Sequence, residues 1–200
     1  MANLCEKLLT QCIGADCANP IYSGVESVAW IGNKSEATFT YDTTYPNTIT
    51  AITLTSGAAL YPVQQLGKTP FTGTTTSLEE GNVSNKFTNN FAFVVPDNSV
   101  SAAEILDNLA NGKFFAIIKN EYNGSDDTGT FQVYGAKKGL VASAIDNDKY
   151  SEDTDGGWAI TLTETGTPNS ALFLVYGADA AETQAYIDTL VADCGDGSDD

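Results

Sequence analysis

Histidine is absent from this chain of 200 residues. Its absence excludes Ser-His-Asp and Cys-His catalytic arrangements and removes the commonest general base at neutral pH. The sequence also contains no G-x-x-x-x-G-K-[ST] phosphate loop and no G-x-G-x-x-G turn after a predicted strand. Carboxylate pairs occur, as at Glu79-Glu80 and Asp126-Asp127, but they lie in predicted turns where a solvated loop explains them. We therefore expect no enzymatic activity and no cofactor.

Basic residues are scarce. The chain has 9 Lys plus Arg against 26 Asp plus Glu, which gives a formal net charge of −17 at pH 7. An acidic surface repels phosphate, so we do not expect a protein that reads nucleic acid by sequence. Solubility explains the charge, since a net charge far from zero keeps proteins dispersed. A second interpretation stays open, in which part of the charge lines a surface that nucleic acid passes without binding.

Long apolar runs are also missing. No stretch of 18 apolar residues occurs, so no membrane-spanning helix is predicted. The opening MANLCEKLLTQC is too polar for the apolar centre of a secretory signal. We expect a protein without a membrane partner that stays in the cell that makes it.

Cysteines are few and lie near the two ends of the chain, at Cys5, Cys12, Cys17 and Cys194. Without a C-x-x-C pair or any histidine, their spacing disfavours a zinc site. Disulfides need an oxidising compartment, for which the sequence gives no targeting signal. We interpret the cysteines as unpaired, partly buried thiols. The alternative is a bridge that ties the two ends together.

The most acidic internal segment, DNDKYSEDTDGG at residues 146–157, invites comparison with a calcium loop. An EF-hand needs oxygen ligands at alternate positions, a glycine at the sixth position and a glutamate at the twelfth. Here Tyr150 follows Asp146 and Asp148, and no glycine occupies the sixth place. The segment is predicted to be a structural turn, and no metal site is expected.

A short helix is predicted at about residues 101–111. Ser101 and Glu104 have the spacing of a capping box, and Asn111-Gly112 predicts a left-handed stop. Three apolar side chains are expected on one face of this helix: Ile105, Leu106 and Leu109. The apolar run at residues 114–118 then predicts a buried strand, and Phe131, Val133 and Tyr134 predict its return partner after a polar turn.

Most other segments read as strands with one apolar face. Alternation marks residues 28–30, 37–41, 52–54, 87–95 and 158–162, a further strand is expected from about 139 to 145, and the apolar run at 171–176 predicts a more central strand. A short helix is predicted at residues 3–13 within an N-terminal arm covering 1–20. Asp179 and Glu182 predict the start of a second helix at about 180–192, with Tyr186, Ile187, Leu190 and Val191 facing inward. Residues 194–200 are expected to form a frayed acidic tail.

Together these patterns predict one mainly β domain, an antiparallel β-sandwich or barrel with flanking helices. Residues 56–85 stand out because they carry glycines, prolines and hydroxyls without sustained periodicity. A loop of this length inside a compact domain usually has a function or is disordered. Its apolar residues Tyr61, Val63, Leu66 and Phe71 predict a loop or extended hairpin that packs on another surface. The partner is another copy of the chain or the chain's own sheet, and both alternatives stay open.

Several segments resemble the tail tube (major tail) proteins of long-tailed bacteriophages, especially those from phages of anaerobic gut bacteria. The most specific is TFQVYGAKKGL followed by DKYSEDTDGGW and AITLT, and CANPIYSGVESVAWIGNKSEAT and NTITAITLTSGAALY are similar in kind to the first strands of that family. The resemblance covers most of residues 17–165. It implies a β-sandwich or barrel with one flanking helix, in hexameric rings stacked around a DNA channel. It also implies assembly in the host cytoplasm with other tail proteins as partners. Ring and head–tail joining proteins share this architecture.

A binding module, such as a carbohydrate-binding or surface β-sandwich, is the alternative from a different class. Aromatic side chains would then form a sugar platform. The candidates are Tyr22, Trp30, Tyr41, Tyr61, Tyr122 and Trp158. Those at alternate strand positions are predicted to be core residues instead.

Overall fold

The computed structural model describes residue 13, residues 23–122, residue 124 and residues 126–192. The four cysteines, the acidic tail and, apart from residue 13, the predicted N-terminal helix lie outside these residues.

The described residues form eleven strands and two α-helices. In chain order they are β1 (Val25–Asn33), β2 (Ala37–Tyr41), β3 (Thr48–Leu54), β4 (Tyr61–Gln64), β5 (Thr75–Glu79), β6 (Lys86–Val95), α1 (Val100–Asn111), β7 (Phe114–Asn120), β8 (Phe131–Tyr134), β9 (Val141–Asn147), β10 (Trp158–Thr167), β11 (Phe173–Leu174) and α2 (Ala180–Leu190). A single 3₁₀ turn, Lys34–Glu36, joins β1 to β2.

Two sheets pack face to face. The larger has the order β2-β3-β11-β8-β7-β1-β4, and the smaller has the order β5-β6-β10-β9. Within the described residues every strand pair is antiparallel except β3 with β11. The predicted fold class, a mainly β sandwich with flanking helices, is therefore confirmed.

The large sheet is buried on both faces. One face packs against the small sheet and α1, through residues such as Ala116, Ile118 and Leu162. The other face holds Phe115, Ile117 and the α2 residue Ile187. The two faces of β7 thus alternate between two cores, which explains why its sequence is a continuous apolar run. Phe39 meets Phe115 edge-on at 5.0 Å although β2 and β7 are not neighbours, so the large sheet curls around its second core.

Helix α1 ends at Asn111 as predicted, but its N-cap residue and the conformation of the residue that follows it differ from the prediction. Ser99 is the N-cap, and its side chain accepts a hydrogen bond from the Ala102 backbone N–H at 3.2 Å. Of the predicted inward residues, Leu106 and Leu109 are buried, whereas Ile105 is 54% exposed. Gly112 is extended, with φ −91°, and is not a left-handed stop. A Cβ there would lie 2.1 Å from the Phe114 ring, so this position requires glycine because of a close approach.

The predicted capping box of α2 is present. Asp179 accepts from the Glu182 N–H, and the Glu182 carboxylate accepts from the Ala178 N–H, both at 2.8 Å. Tyr186 is half-buried, and its hydroxyl accepts from the Ile52 N–H at 2.9 Å and donates to the Ile52 carbonyl at 2.6 Å. The tyrosine hydroxyl therefore binds the β3 backbone beyond the point where β11 ends. Strand β11 is central in its sheet, as expected, but is only two residues long.

Gln65 joins the two sheets by a contact that the sequence does not reveal. It is 8% exposed, and its amide donates to the Val94 carbonyl and accepts from the Val94 N–H, both at 2.8 Å.

We expect Gln65→Ala to lower the free energy of unfolding by about 2–4 kcal/mol, because both Val94 groups lose a partner in a buried place. Chemical denaturation measures this. The matched control is Gln64→Ala, an exposed neighbour for which we expect less than about 0.5 kcal/mol. Equal effects for the two variants would contradict the assigned role.

Candidate assembly surfaces

The most exposed regular element is β5. All five of its residues are exposed, and so are the residues of the tip, 80–85, that joins it to β6. Strand β5 ends the small sheet, so the backbone groups on its outer edge have no strand partner among the described residues. We call residues 75–85 the exposed hairpin. It carries two apolar side chains in water, Leu78 at 55% exposure and Val83 at 99%.

Side-chain hydrogen bonds attach the exposed hairpin to β6 in place of apolar packing, since no side chain of β5 is buried. Thr76 donates to the Asn89 side-chain oxygen at 2.8 Å, and Thr88 donates to the Glu79 carboxylate. The Asn90 amide donates to the Thr75 hydroxyl at 3.2 Å. The strand is therefore fixed in an extended form without burying apolar surface, which lowers the entropic cost of adding a further strand to its edge.

A groove of about 800 Å³ opens between the edge of β4, the end of β6 and α1. Its lining is mainly apolar and includes Ile31, Val63, Phe93, Ile105, Leu109 and Phe114. Among the described residues, Lys113 is the only charged one that lines the groove, and none of the lining residues carries a carboxylate. In a chain of net charge −17, a groove free of carboxylates is suited to an apolar segment that carries acidic residues.

The four residues predicted as inter-subunit contacts fall in different environments. Tyr61 and Val63 lie in β4 and line the groove, and Tyr61 is 49% exposed. Leu66 follows β4 and is 89% exposed. Phe71 is 4% exposed and stacks on Phe91 between the sheets at a centroid distance of 5.5 Å. Phe71 is therefore a core residue, and its assignment as a surface contact is wrong.

Residues 56–85 are not one loop. They contain β4 and β5, which belong to different sheets, and the connection between them passes through the core at Phe71. Within this segment β4, Gln65 and Phe71 pack on the chain's own sheets, whereas residues 75–85 form the exposed hairpin. Contact of this hairpin with another copy stays a prediction.

The sequence analysis missed a buried carboxylate, Glu164. It is 2% exposed and accepts hydrogen bonds from the backbone N–H groups of Lys138 at 2.6 Å and Gly135 at 3.1 Å, and from the Asn89 amide at 3.4 Å. The pKa of Tyr41 is raised, first by the burial of Tyr41 itself and then by the negative charge of Glu164. Partial burial lowers the pKa of Lys137, although the negative charge of Glu164 acts to raise it. The carboxylate thus fixes the turn between β8 and β9 to β10.

Burial raises the pKa of Tyr134 to about 12, although a hydrogen bond with Thr76 acts in the opposite direction. A pKa raised on folding gives stability that is complete below the unfolded value of about 10 and is lost as pH rises through the folded value. We expect the wild type to lose about 2–3 kcal/mol of unfolding free energy between about pH 10 and 12 relative to Tyr134→Phe. Denaturant titrations of both proteins across this range test it. If the unfolding free energies of the two proteins changed in parallel between about pH 10 and 12, the raised pKa of the buried Tyr134 hydroxyl would be contradicted.

The aromatic residues considered for a sugar platform do not share one open face. Trp30 is buried at 7% exposure, and Tyr41 and Trp158 are half-buried with Lys137 and Lys149 over their rings. Tyr61 lines the groove and Tyr122 is half-buried. Tyr22 lies outside the described residues.

Among the described residues, no group of three or more His, Cys, Asp or Glu side chains could hold a metal ion. Neither of the helices in the described part of the chain is long and apolar enough to cross a membrane.

Comparisons with protein-family models, with curated proteins and with solved structures found no match. The resemblance to tail tube proteins therefore stays a prediction from the sequence. Any function proposed for the chain therefore rests on the exposure, shape and charge of the surfaces described above.

Proposed function

We propose that the chain is a structural subunit of a bacteriophage virion, which associates with copies of itself into stacked rings that form a tail tube for DNA passage. The observation that carries this proposal is β5, a strand that is exposed at every residue and that has no neighbouring strand on its outer edge within the described part of the chain. Proteins that act as monomers protect such edges, whereas a free edge is suited to the addition of another chain.

In this proposal the exposed hairpin of one copy occupies the groove of the next. Leu78 and Val83 supply apolar side chains for the apolar floor, and Glu79 and Glu80 supply carboxylates for the Lys113 rim. The groove is about the size of a pocket that takes a compact group of side chains. Hairpin and groove lie on different parts of the surface, so their contact is heterologous and repeats from copy to copy.

The net charge supports passage of DNA without binding. A lumen formed by subunits of net charge −17 has few sites for phosphate, so DNA is expected to slide without being held. Sixfold rings and contacts with other tail proteins follow from the family resemblance. A ring or head–tail joining protein would use the same surfaces and would form single rings instead of stacks.

Sedimentation velocity over a broad concentration series tests self-association. We expect a monomer at low concentration and defined larger species as concentration rises, because both contact surfaces are present on every copy. A single monomeric species at every concentration would contradict the proposal. Saturable binding in a glycan screen by such a monomer would instead favour a carbohydrate-binding module.

A further inference from the structure

The groove lies beside two strand edges. The outer edge of β4 forms one wall, and the end of β6 beyond its pairing with β5 contributes the other. Free strand edges accept an extended segment as a further strand, because main-chain hydrogen bonds then supply the affinity. The partners that these edges already have therefore decide what kind of segment the groove can bind.

The backbone groups of β4 alternate between its partner strand and the groove. The Gln65 N–H donates to the Ser27 carbonyl at 2.8 Å, on the side of β1. Since successive residues of a paired strand point their backbone groups in opposite directions, those of residues 60, 62 and 64 point away from β1. These three positions make up the edge that an added strand would have to bind.

This edge of β4 is closed at two of its three positions. The Leu60 N–H donates to the Leu190 carbonyl, and the Leu60 carbonyl accepts from the Ala192 N–H, both at 2.8 Å. Pro62 has no N–H to donate. Only Gln64 can still offer its N–H to an added strand. A proline on a sheet edge is one of the features by which proteins prevent strand addition.

The edge of β6 is closed by side chains. The Thr74 hydroxyl accepts from the Ala92 N–H at 3.1 Å and donates to the Ala92 carbonyl at 3.4 Å. The Gln65 amide binds both backbone groups of Val94 in the same way, each at 2.8 Å. It also donates to the Gln64 carbonyl at 3.0 Å. One side chain thus covers part of both edges.

We propose that the groove is closed to an added strand and binds only side chains that a turn presents, and that its occupant is the tip of the exposed hairpin, residues 80–85, of a second copy. This inference rests on the proposed function and states how the hairpin enters. No backbone hydrogen bond then crosses the groove, so apolar fit and the charge of Lys113 select the occupant.

The tip has the shape and charge that this groove requires. A Cβ on Gly81 would clash with the Ser84 carbonyl oxygen, so the chain turns back tightly and the position requires glycine. Val83 is 99% exposed and is the apolar side chain that the turn presents. Glu80 begins the tip and complements the single lysine of the groove, Lys113.

A double-mutant cycle in the full chain tests whether the tip meets the groove. Val83→Lys and Ile105→Glu each place an unpaired charge in the apolar contact, so each alone is expected to need at least about tenfold more protein to assemble. Both changes in one chain are expected to restore assembly to within about threefold of the wild type, since the two charges pair across the contact. Sedimentation velocity measures the concentration, and thermal unfolding checks that each variant is folded.

The matched control is Val100→Lys, the same substitution at a position that is 90% exposed at the start of α1. We expect it to assemble like the wild type. If the wild type assembles but the single variants do so equally well, or the double variant is no better than they are, the tip does not meet the groove. The inference is then overturned while the proposed function stands. A wild type that never assembles overturns both.

A second variant tests the closed edge. Pro62→Val restores the missing N–H in a residue suited to a strand, so we expect polydisperse aggregates at a concentration at least about tenfold below that at which the wild type forms them. Pro46→Val, at an exposed turn proline, is the control and is expected to behave like the wild type. Dynamic light scattering measures the size distribution. A Pro62→Val chain that forms the same defined species as the wild type, at the same or a lower concentration, would overturn the closed edge.

Discussion

Replacing residues 80–85 with Asn-Gly, together with Leu78→Lys, is expected to give a folded monomer that no longer assembles. Glu79 and Lys86 are directly paired across β5 and β6, so a two-residue Asn-Gly turn closes the shortened hairpin in its native register. Every side chain removed is exposed, so the core is unchanged. The loss of Val83 and the charge at position 78 remove the apolar contacts proposed for the groove. We expect the concentration needed for assembly to rise at least about 100-fold, the equivalent of about 3 kcal/mol per contact.

Sedimentation velocity and thermal unfolding of the same samples test this result. Ile105→Lys, which places a charge beside the groove from a half-exposed helix position, is expected to impair assembly similarly. Tyr45→Ser is the control, since Tyr45 is 66% exposed on a loop outside both surfaces. Assembly by the shortened variant at the wild-type concentration would exclude the hairpin as a contact.

Glu164→Leu is expected to lower the free energy of unfolding by about 3–5 kcal/mol, since buried donors left without a partner each cost about 1–3 kcal/mol. The Lys138 and Gly135 backbone N–H groups are bound by Glu164, and a leucine cannot accept from either of them. Replacing a buried carboxylate with an apolar residue is neutral only when its partners are replaced too, and backbone groups cannot be.

Glu164→Gln separates hydrogen bonding from packing. The amide keeps one acceptor oxygen at almost the same volume, so we expect a smaller loss of about 1–2 kcal/mol. Denaturant unfolding at neutral pH compares the two variants with Glu152→Ala, an exposed control. A leucine variant as stable as the wild type would show that the turn does not depend on the carboxylate.

The sequence predicts those elements in which the order of apolar and polar residues indicates which positions are buried or where a helix begins. The alternation of Ile160 and Leu162 predicts β10, the continuous apolar run predicts β7, and the Asp179–Glu182 pair predicts the start of α2. Glu164 occupies the next inward position after Leu162. Extending the same alternation by one step would have predicted a buried carboxylate.

An extended hairpin was one alternative for residues 56–85, but the sequence does not locate strand β5, for the opposite reason. Strand β5 is exposed on both faces, so its Thr-rich sequence has no apolar alternation to reveal a strand. The start of α1 was misplaced by two residues because two serines are available. Asp97 decides between them, since it accepts from the Ser99 N–H at 2.8 Å and from its hydroxyl at 2.6 Å. These bonds also lower the pKa of Asp97.

The candidate contact surfaces were only partly predictable. Tyr61 in the edge strand β4 and Leu66 just after it are exposed, whereas Val63 is partly buried against the core, and contact of all three with another copy stays a prediction. Phe71 has the same kind of sequence environment but turns inward at a left-handed φ of 57°. The groove brings together residues from several separate elements, so no local pattern could have revealed it.

Negative-stain electron microscopy of the purified wild-type chain over a concentration series tests the central claim most directly. The proposed function predicts rings with a central hole, which stack into tubes as concentration rises. It also predicts that the shortened hairpin variant shows neither. Isolated particles of monomer size at every concentration, for a chain shown to be folded, would contradict a self-assembling structural subunit.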